Sequence, residues 1–256
     1  MRETTAGRAR KIMAPVILGV VVIVLWQLVV VGFAIKPYVL PSPLSIWDQF
    51  TRAFGTIWSG TKVTGFNALV GLLLGAVLGI LFAVFSALLR VFDELSLPVV
   101  LALAVVPIVA LAPVLYTMFG AGEETARQLV AALAVFIPVY VNTLRGLRQV
   151  RPVHRDLMRA YAASAWQATR TVTLPGATPF LFTGLRIASS LAVISALIAE
   201  YFGGPVDGLG RSITSAASYS NYALAYAFVL GSIVLGLVFY LLTLALEKFA
   251  TRHSPP

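Results

Sequence analysis

Long apolar runs, separated by short polar and charged segments, dominate the hydrophobic pattern of the chain. A membrane-spanning helix needs about 20 apolar residues, and the 256-residue chain contains several runs of that length. The pattern predicts six spans, at about residues 12–35, 63–89, 97–118, 128–144, 179–199 and 222–246. We therefore expect an all-α, polytopic membrane protein in which residues 1–256 form a single transmembrane domain.

The first apolar run has a competing interpretation as a cleaved signal peptide. Basic residues precede it at Arg8, Arg10 and Lys11, as they do in signal peptides. The apolar part of a signal peptide is only about 7–15 residues long and ends at a small-residue cleavage site. The run from Ile12 to Ile35 is longer and continues into Lys36-Pro37 without such a site. It predicts a retained span.

The segments between the spans differ in composition. After the first span, apolar and aromatic residues recur at helical spacing and predict a short helix on the membrane surface: Ile46, Trp47, Phe50 and Phe54. Residues 90–96 and 120–127 are predicted to be short loops, and residues 200–221 a loop rich in Gly and Ser. The longest charged stretch runs from Arg145 to Leu174.

Composition supports the membrane interpretation. Hydrophobic residues make up 59% of the chain and charged residues 11%, against about 25% charged residues in soluble domains. The net charge of +9 could indicate nucleic acid binding, but basic residues in membrane proteins are typical of cytoplasmic loops. Only Lys36, Arg52, Lys62, Arg127 and Arg211 lie outside if both termini are cytoplasmic, so we expect that orientation. The chain has no cysteine, which excludes a disulfide framework and thiolate metal sites.

Small residues spaced four apart form a stripe on two of the predicted spans. Close helix packing in lipid depends on such residues, although Gly and Ala are also common in spans by chance. We expect these stripes to be helix contact faces: Gly71, Gly75 and Gly79 on the second span, and Gly184, Ala188, Ala192 and Ala196 on the fifth. Pro107, Pro113 and Pro138 free backbone carbonyls that neighbours or a wet cavity must satisfy.

The chain lacks the motifs by which a membrane protein could use energy itself. It contains no GxxxxGK[ST] loop, no HExxH and no GxSxG. Its histidines, His154 and His253, lie in charged flanking segments, and no ionisable residue lies at a span centre. Arg186 and Glu200 are predicted to lie near span ends, where they can reach the interface. If the protein uses energy, that energy must then come from a partner.

Residues 152–175, called the coupling segment from here on, follow the fourth span. Pro152 suits the first turn of a helix, and Leu174-Pro175-Gly176 is predicted to end it. One face carries Leu157, Met158, Tyr161, Ala162, Ala165 and Trp166, and the other Arg155, Arg159, Gln167 and Arg170. From periodicity alone, the helix either rests on the inner leaflet or docks a soluble partner.

The coupling segment resembles the cytoplasmic motif of ATP-binding-cassette (ABC) importer permeases, in which Glu-Ala-Ala, three variable residues and Gly precede a Leu-Pro. Asp156 stands at the Glu position and Ala162 at the Gly position, with Leu157 and Met158 at the Ala positions. Leu174-Pro175 stands at the closing pair. Further similarity, to permeases of the nitrate/sulfonate/taurine type, lies in segments that occur in consistent order from Leu40 to Lys248: Leu40–Pro43, Pro107, Ala110, Pro113, Phe119-Gly120, Val141–Leu147 with Asn142, Thr183–Ile187, Ala199-Glu200 and Gly208–Gly210.

The resemblance implies a type I importer permease in a bacterial plasma membrane. It implies a homodimer with two cytoplasmic ATPase subunits, which bind ATP and Mg, and an extracytoplasmic substrate-binding protein. The chain itself would be non-catalytic and hold no cofactor. Tyr161 and Trp166 would fill a groove on the ATPase, and Arg155 and Arg159 would pair with its acidic rim. The implied solute is nitrate, a sulfonate or taurine, or a pyrimidine precursor of thiamine. A self-contained carrier or channel and a membrane-embedded enzyme are the alternatives.

Overall fold

The computed structural model describes residues 5–150, 152–205 and 207–251. Within these ranges the chain is helical and contains no strand. The helices are α1 Thr5–Gly32, α2 Pro43–Arg52, α3 Phe54–Leu88, α4 Arg90–Val105, α5 Ile108–Phe119, α6 Thr125–Arg148, α7 Pro152–Ala160, α8 Ala165–Ala168, α9 Leu174–Phe202, α10 Leu209–Ser218 and α11 Tyr222–Ala250, and a π-helical turn, Thr169–Thr173, joins α8 to α9. Arg2, Arg151, Arg252 and His253 lie outside the described residues.

Among the described residues, five helical stretches are long and apolar enough to cross a membrane: Met13–Gly32, Phe54–Leu88, Thr125–Arg148, Ala165–Phe202 and Tyr222–Ala250. Helices α4 and α5 together make a sixth span if they are counted as one, and the chain bends by 105° between them. The chain is thus all-α with five to six candidate spans, as the apolar pattern predicts.

The predicted third span, at residues 97–118, is wrong in two respects: the helix begins earlier, and two helices stand in place of one. Its first helix begins at Arg90, within the predicted loop 90–96, and stops at Val105. Val106 is extended, with ψ 123°, because the ring of Pro107 disfavours helical backbone in the residue before it. Pro98 and Pro113 lie inside helices.

Two further loop predictions are corrected by the structure. The Gly- and Ser-rich stretch 200–221 contains helix α10, Leu209–Ser218, which the apolar pattern misses because it is too short for a span. Leu174-Pro175-Gly176 does not end a helix, since α9 begins there and continues to Phe202. The π-helical turn directly before Pro175 widens the backbone where the proline ring would meet the preceding carbonyls.

Helix α6 lies between α3 and α9, and these three helices form the centre of the bundle. Helix α11 packs on α9. Helix α1 contacts the short helix α2, and only 6% of the residues in its most apolar stretch are buried. Helix α2 contains Ile46, Trp47 and Phe50 of the predicted surface helix, whereas Phe54 begins α3. Ser42 accepts a hydrogen bond from the Ser45 amide at 3.2 Å and caps α2, and Ile46 is the buried residue of α2.

Candidate functional site

The coupling segment projects from the bundle, because none of the residues of α7 is buried. Arg155, Asp156 and Arg159 lie exposed on α7, and Asp156 pairs with Arg159 at 3.6 Å across one turn. Tyr161 is 77% exposed and Trp166 is 67% exposed. The predicted single helix is wrong, because α7 ends at Ala160 and Trp166 lies on α8.

The turn after α7 is a Schellman motif with Ala162 in the left-handed region, at φ 49°. Its amide donates to Arg159 O at 2.9 Å, and the Ala163 amide donates to Met158 O at 3.0 Å. This is the turn position at which glycine is favoured, because a Cβ is strained there. Ala162 stands where the resembled motif has Gly, so the geometry explains that motif's preference.

A capping box then restarts the helix. Gln167 N donates to Ser164 Oγ at 3.3 Å, and Ser164 N donates to Gln167 Oε1 at 2.7 Å. The direction of the coupling segment is therefore set by the α7 turn and this box. Both depend on local hydrogen bonds rather than on burial.

The small stripe on α3 lies against α6. A Cβ on Gly71 would overlap Ala131, and a Cβ on Gly75 would overlap the Ala132 carbonyl. A Cβ on Gly79 would lie 3.0 Å from the Phe136 carbonyl oxygen. The helices approach so closely here that only glycine fits at 71 and 75.

The small stripe on α9 lies against the other side of α6. A Cβ on Gly184 would lie 2.9 Å from the Pro138 carbonyl oxygen, to which the Asn142 amide donates at 2.8 Å. Asn142 thus satisfies a carbonyl on its own helix. Ala188, Ala192 and Ala196 are fully buried in the same apolar core. Both stripes are used within the chain and are not free for a second copy.

An ionic cluster that the sequence does not reveal lies at the end of the bundle away from the coupling segment. Arg127, expected in a loop, lies in the first turn of α6. Glu200 lies near the end of α9, as expected, but both side chains are 0% exposed and neither reaches the surface of the chain. The cluster consists of Thr64, Arg127, Glu200 and Asp207, with the backbone of Gly208, Leu209 and Gly210.

Glu200 is held by donors from two other segments. Its Oε2 accepts from Thr64 Oγ1 at 2.8 Å and from the Gly210 amide at 2.9 Å. Thr64 Oγ1 accepts in turn from the Leu209 amide at 2.9 Å. Gly208 has φ 84°, and a Cβ there would lie 2.5 Å from the Glu200 carboxyl carbon. Glycine is required at this position for both reasons.

Arg127 joins the first turn of α6 to the same loop. It donates to Asp207 Oδ1 at 2.7 Å and to the Pro205 carbonyl at 3.1 Å. Its Nη1 lies 3.8 Å from Glu200 Oε1. The cluster therefore ties α3, α6, α9 and the loop before α10 together. Two features of the sequence could have indicated this cluster: the carboxylate of Glu200 at the end of an apolar run, and the Gly-Leu-Gly segment that follows it.

The other end of the bundle carries a smaller buried polar group, made of three hydroxyls. Ser86, Ser96 and Tyr140 lie within 3.0–3.1 Å of one another and join α3, α4 and α6. Beside them, Arg148 pairs with Asp93 at 2.7 Å. Arg186, expected near a span end, pairs with Glu247 at 3.2 Å and links α9 to α11.

Comparison with known proteins decides the family. Residues 71–252 match the family described as "Binding-protein-dependent transport system inner membrane component". The chain belongs to this family. It is therefore a membrane permease subunit of an ABC importer, and the resemblance seen in the coupling segment and its flanks is confirmed.

Individual relatives of this permease agree in length and in fold. The riboflavin transport system permease protein of Chloroflexus aurantiacus is 32% identical over 232 residues, which are 90% of this chain and 86% of that one. The taurine transport system permease protein of Escherichia coli is 28% identical over 243 residues, or 92% and 86% of the two chains. A chain from the crystal structure of an amino acid ABC transporter with histidines shares the fold, with a TM-score of 0.65 at 17% identity, covering 77% of this chain and 95% of that one.

Proposed function

We propose that two copies of this permease enclose a pathway, that two cytoplasmic ATPase subunits grip the two coupling segments, and that an extracytoplasmic binding protein delivers the solute. The observation that carries this proposal is α7, a nine-residue helix without a buried residue that presents large side chains to the outside of the chain. ATP-driven closure of the ATPase pair would move these helices and switch the pathway between its two sides. ATP and Mg would be bound by the ATPase.

Within the coupling segment, each candidate residue has a distinct proposed role. Tyr161 and Trp166 enter a groove on the ATPase, since exposed aromatics near the centre of an interface commonly anchor it. Arg155 and Arg159 pair with acidic residues at its rim. Asp156 stabilises α7 through its pair with Arg159, and Ala162 sets the angle between α7 and α8.

The orientation follows from the position of this segment. With α4 and α5 counted as one span, four crossings precede residue 152, so the coupling segment and the N-terminus share one side. Docking to a cytoplasmic ATPase places that side in the cytoplasm of a bacterium, with the C-terminus there too. The ionic cluster around Glu200 then faces the extracytoplasmic side.

The solute is a small nutrient, either an anion of the nitrate, sulfonate or taurine kind or a pyrimidine-type compound. The relative named for taurine supports the first class and the relative named for riboflavin supports a heterocyclic nutrient. Selection by the binding protein would allow closely similar permeases to serve both classes.

The docking role is tested by co-purification of the permease with its ATPase in detergent. Truncation of an anchoring aromatic commonly costs about 2–4 kcal/mol at an interface. We therefore expect Trp166→Ala and Tyr161→Ala to lower the yield of complex at unchanged permease yield. Tyr38→Ala, which truncates another exposed aromatic on the opposite side, is the matched control. Wild-type recovery of ATPase with both coupling variants, or transport by a lone chain, would contradict the proposal.

The homodimer is tested by crosslinking single cysteines in this cysteine-free chain. Ala192 is fully buried within the chain, whereas Ile187 and Ile194 on the same helix are 48% and 50% exposed. We expect cysteines at the two exposed positions to crosslink between copies in native membranes, and a cysteine at 192 not to do so. Exclusively monomeric protein at all three positions would refute the assembly.

A further inference from the structure

A polar cavity lies between α10 and the first turns of α3 and α11, at the same end of the bundle as the ionic cluster. Its volume is about 340 Å³, within the range of about 300–1,000 Å³ typical of small-molecule sites. Among the residues that line it are Thr56, Arg211, Ser212, Ser215 and Asn221. No carboxylate belongs to its lining in the described part of the chain.

Arg211 is the single charged side chain of this lining, and within residues 5–150, 152–205 and 207–251 it has no ion-pair partner. Its Nε is buried without a hydrogen-bond partner among the same residues. Two carboxylates close to it in sequence are committed elsewhere, because Glu200 and Asp207 both face Arg127. Arg211 is partly exposed and opens on the cavity, so its guanidinium is available to an anion from outside the chain.

The other polar groups of the cavity offer further hydrogen-bond donors. Asn221 Oδ1 accepts from the Leu224 amide at 3.2 Å, which leaves its NH₂ group available. Ser215 lies one helical turn after Arg211, on the same face of α10, and Thr56 adds a hydroxyl from α3. Ser212 is not such a donor, because its one hydroxyl hydrogen is already donated to the Gly208 carbonyl at 2.7 Å. A guanidinium with surrounding hydroxyl and amide donors and no carboxylate is the composition of an oxyanion site.

We propose that this cavity binds the oxyanion group of a small solute, a sulfonate, carboxylate or nitrate, at the extracytoplasmic entrance of the pathway. The inference rests on the proposed function for its place in transport, and it selects the anionic class of solute over the uncharged one. A phospholipid phosphate has the same chemistry and is separated by experiment.

The charge of the cavity can be read with thiol reagents of opposite charge. Ser215→Cys places a single reactive thiol in the cavity, and Ser218→Cys places an exposed one on the same helix outside the lining. At each position we compare the labelling rate of anionic sulfonatoethyl methanethiosulfonate with that of its cationic trimethylammonium analogue. The ratio of the anionic to the cationic rate should be about tenfold higher at 215 than at 218. Arg211→Gln should abolish that difference. Equal ratios at the two positions with Arg211 intact would overturn the proposal.

Protection from labelling identifies the ligand class. In an uncharged detergent, ethanesulfonate should slow labelling at 215, whereas uncharged thymine at the same concentration should not. Equal protection by thymine would overturn the anion assignment. Protection by phosphatidylglycerol nanodiscs without protection by ethanesulfonate would assign the cavity to a lipid headgroup and also overturn it.

Uptake by the reconstituted complex separates this inference from the proposed function. We expect Arg211→Gln to co-purify with the ATPase at wild-type level. It should reduce uptake of a solute with an oxyanion group, such as ethanesulfonate or nitrate, presented with the binding protein, by tenfold or more. Normal uptake of these anions by an assembled variant refutes the anion site alone. Failure of the wild-type chain to recover any ATPase refutes the proposed function instead.

Discussion

The two polar ends of the α6–α9 pair are constructed in opposite ways. At one end, the ionic cluster buries Arg127 and Glu200 completely and joins four segments through side-chain and backbone hydrogen bonds. At the other, α7 has no buried residue, and its turn and the capping box of α8 are made by neighbours in sequence. The cluster fixes helices relative to one another, whereas the coupling segment can transmit motion only if its local geometry holds. Stability and coupling should therefore respond to different substitutions.

The largest expected effect is loss of the buried cation. Arg127→Ala leaves Glu200 and Asp207 without their positive partner, and breaking a buried ion pair typically costs about 3–5 kcal/mol. The matched control is Arg52→Ala, which breaks a pair with Asp48 at 2.9 Å between side chains that are 73% and 49% exposed. An exposed pair of this kind contributes about 0–1 kcal/mol. The midpoint of thermal unfolding in detergent measures both.

The same cluster can be tested for pairwise coupling. If Arg127 and Glu200 act as a unit, Arg127→Ala combined with Glu200→Gln should destabilise by less than the sum of the single changes. Additive effects, or equal unfolding midpoints for Arg127→Ala and Arg52→Ala, would show that burial does not distinguish this cluster from a surface pair.

The next effect concerns the contact between α3 and α6. Gly75→Val inserts a branched side chain where even a Cβ would overlap the α6 backbone, and overpacking typically costs about 1–3 kcal/mol. Gly236→Val on α11 is the control, because no described atom from outside its own stretch of helix lies within 4 Å of a Cβ there. We expect a lower unfolding midpoint for the first variant alone. Similar midpoints for the two would mean that the Gly75 contact is not tight in the folded protein.

Features carried by long local patterns could be predicted from the sequence. Apolar runs predict the spans, and for α11 they do so to within a few residues. Four-residue spacing predicts the stripes of α3 and α9. Both kinds of feature depend on the sequence of one helix alone. The surface helix α2 was predicted for the same reason, since its apolar side chains and its Ser42 cap are adjacent in sequence.

Features that depend on tertiary structure could not be predicted. Thr64, Arg127 and Glu200 are far apart in sequence, and no local pattern indicates that they meet. Three prolines lie in residues 90–119, and only Pro107 coincides with the break, because the others are accommodated inside α4 and α5. The positive φ of Ala162 could not be predicted from the residue type, because alanine does not indicate a turn as glycine does.

A smaller effect is expected at this turn, and it has the opposite sign. Ala162→Gly removes the strain of a Cβ in the left-handed region, which costs about 1–2 kcal/mol for a residue other than glycine. We expect greater protection of the Ala162 and Ala163 amides from hydrogen exchange, and ATPase association at least as tight as in the wild type. Ala160→Gly, two residues earlier inside α7, should reduce protection, since glycine disfavours helix. Reduced protection in both variants would contradict the turn assignment.

The smallest expected effect on stability is that of Asp156→Ala. Asp156 is the fifth of the nine residues of α7 and lies outside its first turn, so the helix N-terminus adds little to its contribution. Its i, i+3 pair with Arg159 contributes about 0.2–0.5 kcal/mol. Loss of this pair should not unfold the spans or dissociate the complex. A frayed α7 would nevertheless absorb part of the ATPase motion, because no burial holds this helix in place.

We therefore expect Asp156→Ala to keep the assembled complex and some ATP hydrolysis while losing uptake disproportionately. Asp156→Glu, which keeps a carboxylate at the same position of α7, should remain close to wild type and serves as the matched control. Hydrolysis and uptake must be measured together in proteoliposomes that contain the binding protein, because only their ratio reports coupling. A parallel fall in both, or a fall in neither, would mean that Asp156 has no role in coupling. The contrast with the ionic cluster would then rest on Tyr161, Ala162 and Trp166 alone.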